Sequence, residues 1–148
     1  MTDDDHYGLT ERLVDALHTE ALLMADEARA YFDEQGRVER DRLAPAERVL
    51  FACESLKVTT RLMHVIAWLL SRRAYRTQPD AVQPPRPVAD PIASSPEDVA
   101  ALPPVAQQLI SASRDLHERV RRLETDILRG TNEGSPARLL MGRLERAL

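Results

Sequence analysis

The residues that could do chemistry in this chain are few and widely spaced. Asp15-Ala-Leu-His18 sets an acid and a histidine three apart, a spacing related to the Glu-x-x-His element that di-iron carboxylate sites repeat on facing helices. A single incomplete copy supplies too few ligands. His6, His18, His64 and His117 stand on separate segments with no i, i+4 pair among them, so each reads as a surface or half-buried side chain rather than a metal ligand. Ser113 and His117 share a helical face at a spacing of four. No acid orients that pair, and a nucleophile also needs a pocket and oxyanion donors. The sequence contains no glycine-rich phosphate loop, no Gly-x-Ser-x-Gly and no Cys-x-x-Cys. The expectation is a protein that is not an enzyme, uses no cofactor or metal, and works by binding.

The strongest candidate for binding is the segment ESLKVTTRLMHVIAWLLSRRA, residues 54–74. Advancing 100° per residue from Leu62 places Val58, Leu69, Leu62, Ser55, Ile66, Thr59, Leu70, Met63 and Leu56 on one broad arc, read as the core side. Lys57, Arg61, Trp68 and Arg72 fall on a second stripe, and Val65 bridges the two. A lone tryptophan between arginines is a composition enriched at interface hot spots. Lys57, Arg61, Val65, Trp68 and Arg72 are therefore the candidates for a partner or dimer interface. The same residues also fit an internal arginine–indole contact, and the surplus apolar arc could be covered by helix 1, the proline connector or the tail.

The elements that must position this segment follow from periodicity. In a chain of 148 residues with five glycines and few aromatics, one all-α domain is expected. Leu9, Leu13, Leu17, Ala21, Met24, Ala28 and Tyr31 alternate steps of three and four, predicting helix 1 over 8–34, with Gly36 as its C′ residue. Pro45 suits the first turn of helix 2, over 46–76. Residues 78–104 hold eight of the ten prolines and read as an extended, mobile connector, with Ser95-Pro96 able to seed one short turn. Val105, Leu109, Ala112, Leu116, Val120, Leu123 and Ile127 predict helix 3 over 105–129, stopped by Gly130. A flexible tail, 130–148, carries a marginal amphipathic stretch from Ser135-Pro136. The result is a three-helix bundle with long helices, and self-association is the expected use of its surplus apolar surface.

Charge narrows the partners. Residues 1–34 hold ten acids and two bases, whereas 46–77 hold two acids and six bases, so the first two long helices are expected to lie side by side. No strongly basic domain or helix-turn-helix spacing points to nucleic acid. The acidic start and the short apolar runs argue against a secretory signal or a membrane span, and the single cysteine, Cys53, suits a reducing cytoplasm.

Three blocks, EARAYFDEQGR at 27–37, ESLKVTTRLMHVIAWLLSRRA at 54–74 and LPPVAQQLISASRDLHERVRRLETDIL at 102–128, resemble the RcdA family, the regulator of CtrA degradation in alphaproteobacteria. The pattern Glu-Ser-x-x-x-Thr-Thr-Arg-Leu-Met-x-x-x-x-Trp-Leu-Leu is the most specific part, and it marks Glu54, Ser55, Thr59, Thr60, Arg61, Leu62, Met63 and Trp68 as family-motif positions. The resemblance implies a dimerising three-helix bundle in the bacterial cytoplasm that has no catalytic residue. It implies an adaptor that helps deliver cell-cycle substrates such as CtrA, a transcription regulator, to the ClpXP protease. The partners it implies are a primed ClpX-type protease, a response-regulator-type adaptor and a cyclic-di-GMP-binding adaptor. The alternative reading of the same residues is a structural or regulatory helical dimer acting on an unrelated protein.

Overall fold

Apolar residues at helical spacing produce the three long helices of the computed structural model, which describes the backbone of residues 2–133 and 136–147 and the side chains of 8–130 and 140–147. In chain order the elements are α1 (Thr2–Asp33), α2 (Gln35–Asp41), α3 (Pro45–Thr77), α4 (Pro96–Ala100), α5 (Pro104–Glu133) and α6 (Pro136–Ala147). The described residues contain no strand, so the fold is all-α, as expected. Helices α1, α3 and α5 pack on one another around Val14, Leu17, Ala21, Val58, Leu62, Leu69, Leu116 and Val120.

The first two long helices run antiparallel. Tyr31, Phe32 and Phe51 stack edge to face at one end, with Phe32 and Phe51 centroids 5.6 Å apart. At the other end Arg73 and Arg76 each reach Asp15 at 3.2 Å, and Arg76 also pairs with Glu11. The acidic and basic halves of the sequence thus meet side by side, and Arg119 of α5 adds a forked pair to Glu20.

Gly36 is not the left-handed C′ residue expected of it, since no described residue has a positive φ. Glu34, at φ −115° and ψ −90°, breaks the helix instead, and α2 folds back on α1. A Cβ at Gly36 would stand 2.7 Å from the Tyr31 carbonyl oxygen. Glycine is needed here for close approach, and Tyr31 closes the corner by donating its hydroxyl to Glu39. Further along, Gly130 does not stop α5, which continues to Glu133, and part of the expected flexible tail forms α6.

The proline-rich connector is the largest departure from expectation. Val88, Ser94 and Leu102 are buried, so the segment packs instead of swinging free. Successive contacts give its direction: Val88 donates its backbone N–H to Glu124 at 2.9 Å, Ile92 accepts from Arg61 at 2.8 Å, and Ser94 donates to Glu54 at 2.6 Å. The chain therefore leaves the end of α3 and runs back along it, in the groove between α3 and α5, before α5 begins. Helices that neighbour each other in parallel need such a return. About 18 residues at roughly 3.1 Å each in polyproline geometry easily span the ~35 Å to be retraced at 1.5 Å per helical residue. Proline suits the task because polyproline geometry requires no internal hydrogen bonds. At the strap's end Ser95 precedes Pro96 at the start of α4, as expected, but makes no side-chain capping bond.

Candidate interaction surface

The buried side of α3 is not the side expected. Phe51, Glu54, Val58, Arg61, Leu62, Val65, Trp68 and Leu69 are buried, an arc centred near Val65 and rotated by about 100° from the predicted core side on a 100° step. Arg61, Val65 and Trp68 accordingly do not form an outer interface stripe. Arg61 is 1% exposed and Trp68 is 6% exposed. The physical reason is the return strap, which covers this stripe from within the same chain.

Arg61 is the pin that holds the strap. Its Nη2 donates to the Ile92 carbonyl at 2.8 Å and to Ser94 Oγ at 2.7 Å, while Nη1 reaches Ser113 Oγ of α5 at 3.4 Å. Ser94 in turn donates to Glu54, whose other oxygen pairs with Lys57 at 3.0 Å. One residue on α3 thus ties together the strap and α5. Burial pulls the Arg61 pKa below its ordinary value, Glu54 opposes that shift, and Arg114 adds to it.

Ser113 spends its hydroxyl on the Ile110 carbonyl at 3.0 Å, so Ser113 and His117 do not form a nucleophile and base. His117 is buried; burial lowers its pKa, and the Ala89 carbonyl of the strap partly offsets this. Lys57 and Arg72, the remaining two interface candidates, are half-buried. Trp68 and Pro84–Val88 line a common groove of about 650 Å³, with His64, Leu70 and Ser71.

The face of α3 that does remain open is one that the helical arc placed in the core. Leu56 is 67% and Met63 64% exposed, and Val49 and Leu70 are open with them. These four recur every seven residues, the period of a helix–helix seam. Ala52, Cys53, Thr59, Thr60 and Ala67 fill the surface between them, so the face is smooth and carries no charge along roughly six turns. Thr59 and Thr60 satisfy their hydroxyls on the carbonyls of Ser55 and Leu56, and Ser55 does so on Ala52. The seven-residue period is visible in the sequence, but angular position alone places this face inward, because charged Glu54 and Arg61 suggest that the opposite side meets solvent.

The motif positions therefore sort into two sets. Glu54, Arg61, Leu62 and Trp68 face the bundle and the strap; Met63 and Thr59 lie on the open face, with Thr60 at its margin and Ser55 half-buried. Among the described residues no group of three or more His, Cys, Asp or Glu side chains is placed to hold a metal ion, and no helix is long and apolar enough to cross a membrane.

Comparison with known proteins matches this architecture. A family model described as a protein of unknown function (DUF1465) covers residues 6–148. The crystal structure of RcdA from Caulobacter crescentus CB15 is similar at 32% identity and a TM-score of 0.61, over 76% of this chain and 88% of that one. No curated protein gives a match. With a pinned strap over the inner face of α3, a long open face opposite, and both matches spanning most of the chain, this protein belongs to the RcdA family.

Proposed function

We propose that this chain is a non-enzymatic, cytoplasmic adaptor that delivers cell-cycle regulatory substrates of the CtrA type to a ClpXP protease through protein–protein contacts. The open face of α3 is the observation that carries the reading. Val49, Leu56, Met63 and Leu70 give one long helix an apolar stripe with small residues between, and large exposed apolar patches mark interaction sites. Family membership supports the adaptor assignment, and the buried hydroxyls of Ser94 and Ser113, already engaged inside the bundle, support a binding role over a catalytic one.

The first occupant of the face is a second copy of this chain. A seven-residue period gives the face the geometry of a helix–helix seam, and an isologous two-fold contact would set it against the same face of a second copy. No like charges oppose one another across it. A homodimer gives a rigid body from which strap edges and α6 remain available to the protease system, to other adaptors and to substrate. Linking several weak contacts on one body raises effective concentration to about millimolar for short tethers.

The test is reconstituted degradation of a CtrA-type regulator by ClpXP and its partner adaptors, with the wild-type chain and with Met63→Glu. The expected result is faster degradation with wild type and a changed rate with the variant. Unchanged degradation in every combination, together with no association between this chain and any component, would refute the proposal.

A further inference from the structure

The first half of the strap has a regular outer surface that the bundle does not use. Pro84, Pro85 and Pro87 each hold φ near about −65°, and Gln83, Pro84 and Arg86, which precede prolines, are pushed out of the helical region toward extended backbone. Covalent geometry therefore sets 83–87 as a polyproline helix, and no turn or bend interrupts 83–95. That helix repeats every three residues, and burial follows the same period: Val82 and Pro85 are half-buried and Val88 is buried. This edge faces the bundle. The other two edges face outward, one formed by Pro84 and Pro87 and one by Gln83 and Arg86, and all four residues are exposed.

Both ends of the run are held, and its middle is left unpaired. Val82 donates its N–H to the Gln78 carbonyl at 3.1 Å, and Val88 donates to Glu124 at 2.9 Å. Between these anchors Gln83–Pro87 make no hydrogen bond or ion pair with any described residue. Their carbonyls and the Arg86 guanidinium are therefore available to a partner. Asp90 and Asp80, the nearest acids along the strap, stand about 12 Å or more away at polyproline rise, beyond the ~8 Å screening length at physiological salt. A free proline-rich segment loses freedom when it is bound, whereas this one is already ordered by its inner edge and its two anchors.

We propose that the outer side of the strap is a docking surface for a folded protein domain whose aromatic-lined groove takes Pro84 and Pro87 and whose carboxylate pairs with Arg86. Polyproline segments are read in this way: aromatic rings pack on the exposed proline edge, and the preformed backbone lowers the ordering cost. A single unpaired arginine beside that edge sets the sign of charge required of the partner. The inference rests on the strap alone and holds whether or not the open face of α3 serves an adaptor.

The probe is an isolated WW domain with a carboxylate beside its aromatic groove, titrated by calorimetry into the full-length protein and, separately, into a peptide of residues 80–92. The expected result is saturable binding to the full-length protein at least as tight as to the peptide. Arg86→Glu, at an exposed position, and Pro84→Ala/Pro87→Ala should each weaken it tenfold or more, while Met63→Glu on the open face leaves it unchanged. Blue-shifted Trp68 emission from the variants alone would show the strap still seated. No saturable binding to the full-length protein at millimolar domain, whether or not the peptide binds, or an unchanged affinity in Arg86→Glu would overturn the proposal.

Discussion

Replacing Arg61 by methionine should be among the most damaging single changes in this protein, and replacing Glu54 along with it should be much less so. Arg61 is buried and makes bonds to Ile92, Ser94 and Ser113. Truncating it removes all three and leaves the Glu54 carboxylate buried with only Lys57 and Ser94. Breaking one side of a buried charged network costs about 3–5 kcal/mol, a large share of the 5–15 kcal/mol typical of a domain. In Arg61→Met/Glu54→Met the remaining apolar side chains fill similar volume with no orphaned charge, an exchange that is often close to neutral. The double variant is therefore expected to recover at least about 2 kcal/mol relative to the sum of the singles, a coupling typical of residues in one network. Lys57→Met, at the exposed edge of the same cluster, should cost no more than about 1 kcal/mol. Urea unfolding at fixed protomer concentration measures all four. An Arg61→Met cost below about 1 kcal/mol, or strictly additive effects, would refute the claim that this residue pins the strap.

Other expectations follow from single residues. Trp68 is the only tryptophan, so intrinsic fluorescence reads the strap directly: emission should be blue-shifted and poorly quenched by acrylamide, and Val88→Asp should shift it to the red. Emission typical of a solvated indole in the wild type would contradict the packing. Gly36→Ala should destabilise by about 1–3 kcal/mol through its clash with the Tyr31 carbonyl. Gly130→Ala, whose added methyl would meet nothing within 4 Å, should stabilise by about 0.5–1 kcal/mol; thermal unfolding distinguishes the two signs. His117 has a folded-state pKa lowered by burial from 6.5, so the unfolded chain takes up its proton first. Stability should be fully present above about pH 6.5, decline as pH falls toward the folded pKa, and level off below it. His117→Gln should flatten that part of the profile, and an unchanged slope would remove the histidine from the account.

The sequence carried the three long helices clearly, because Leu9 to Tyr31 and Val105 to Ile127 repeat at helical spacing without interruption. It carried the pairing of the acidic and basic helices for the same reason: Glu11 and Asp15 lie on one helix and Arg73 and Arg76 on another. The rotation of α3 was not legible from its own residues. Both sides of that helix are apolar, and the deciding contacts come from Ile92, Ser94 and Ser113, which lie 31 to 52 residues away. Proline content signalled an extended connector correctly, but composition cannot tell a free linker from one whose carbonyls and hydroxyls are captured by a buried arginine. Gly36 shows the same limit, since a helix stop and a close approach to Tyr31 both call for glycine. The open face had a sequence signal, the seven-residue spacing of Val49, Leu56, Met63 and Leu70, that is masked when charged Arg61 is taken as necessarily outward.

The central claim is that this chain acts as a body whose open α3 face engages protein. The most direct measurement is sedimentation of the wild type and of Met63→Glu, run beside ClpXP degradation of a CtrA-type substrate in the presence of each. The expected outcome is a wild-type dimer, a folded monomeric variant with unchanged helical circular dichroism, and degradation rates that differ between the two. A wild type that remains monomeric at tens of micromolar, or equal degradation rates with and without either protein, would contradict it.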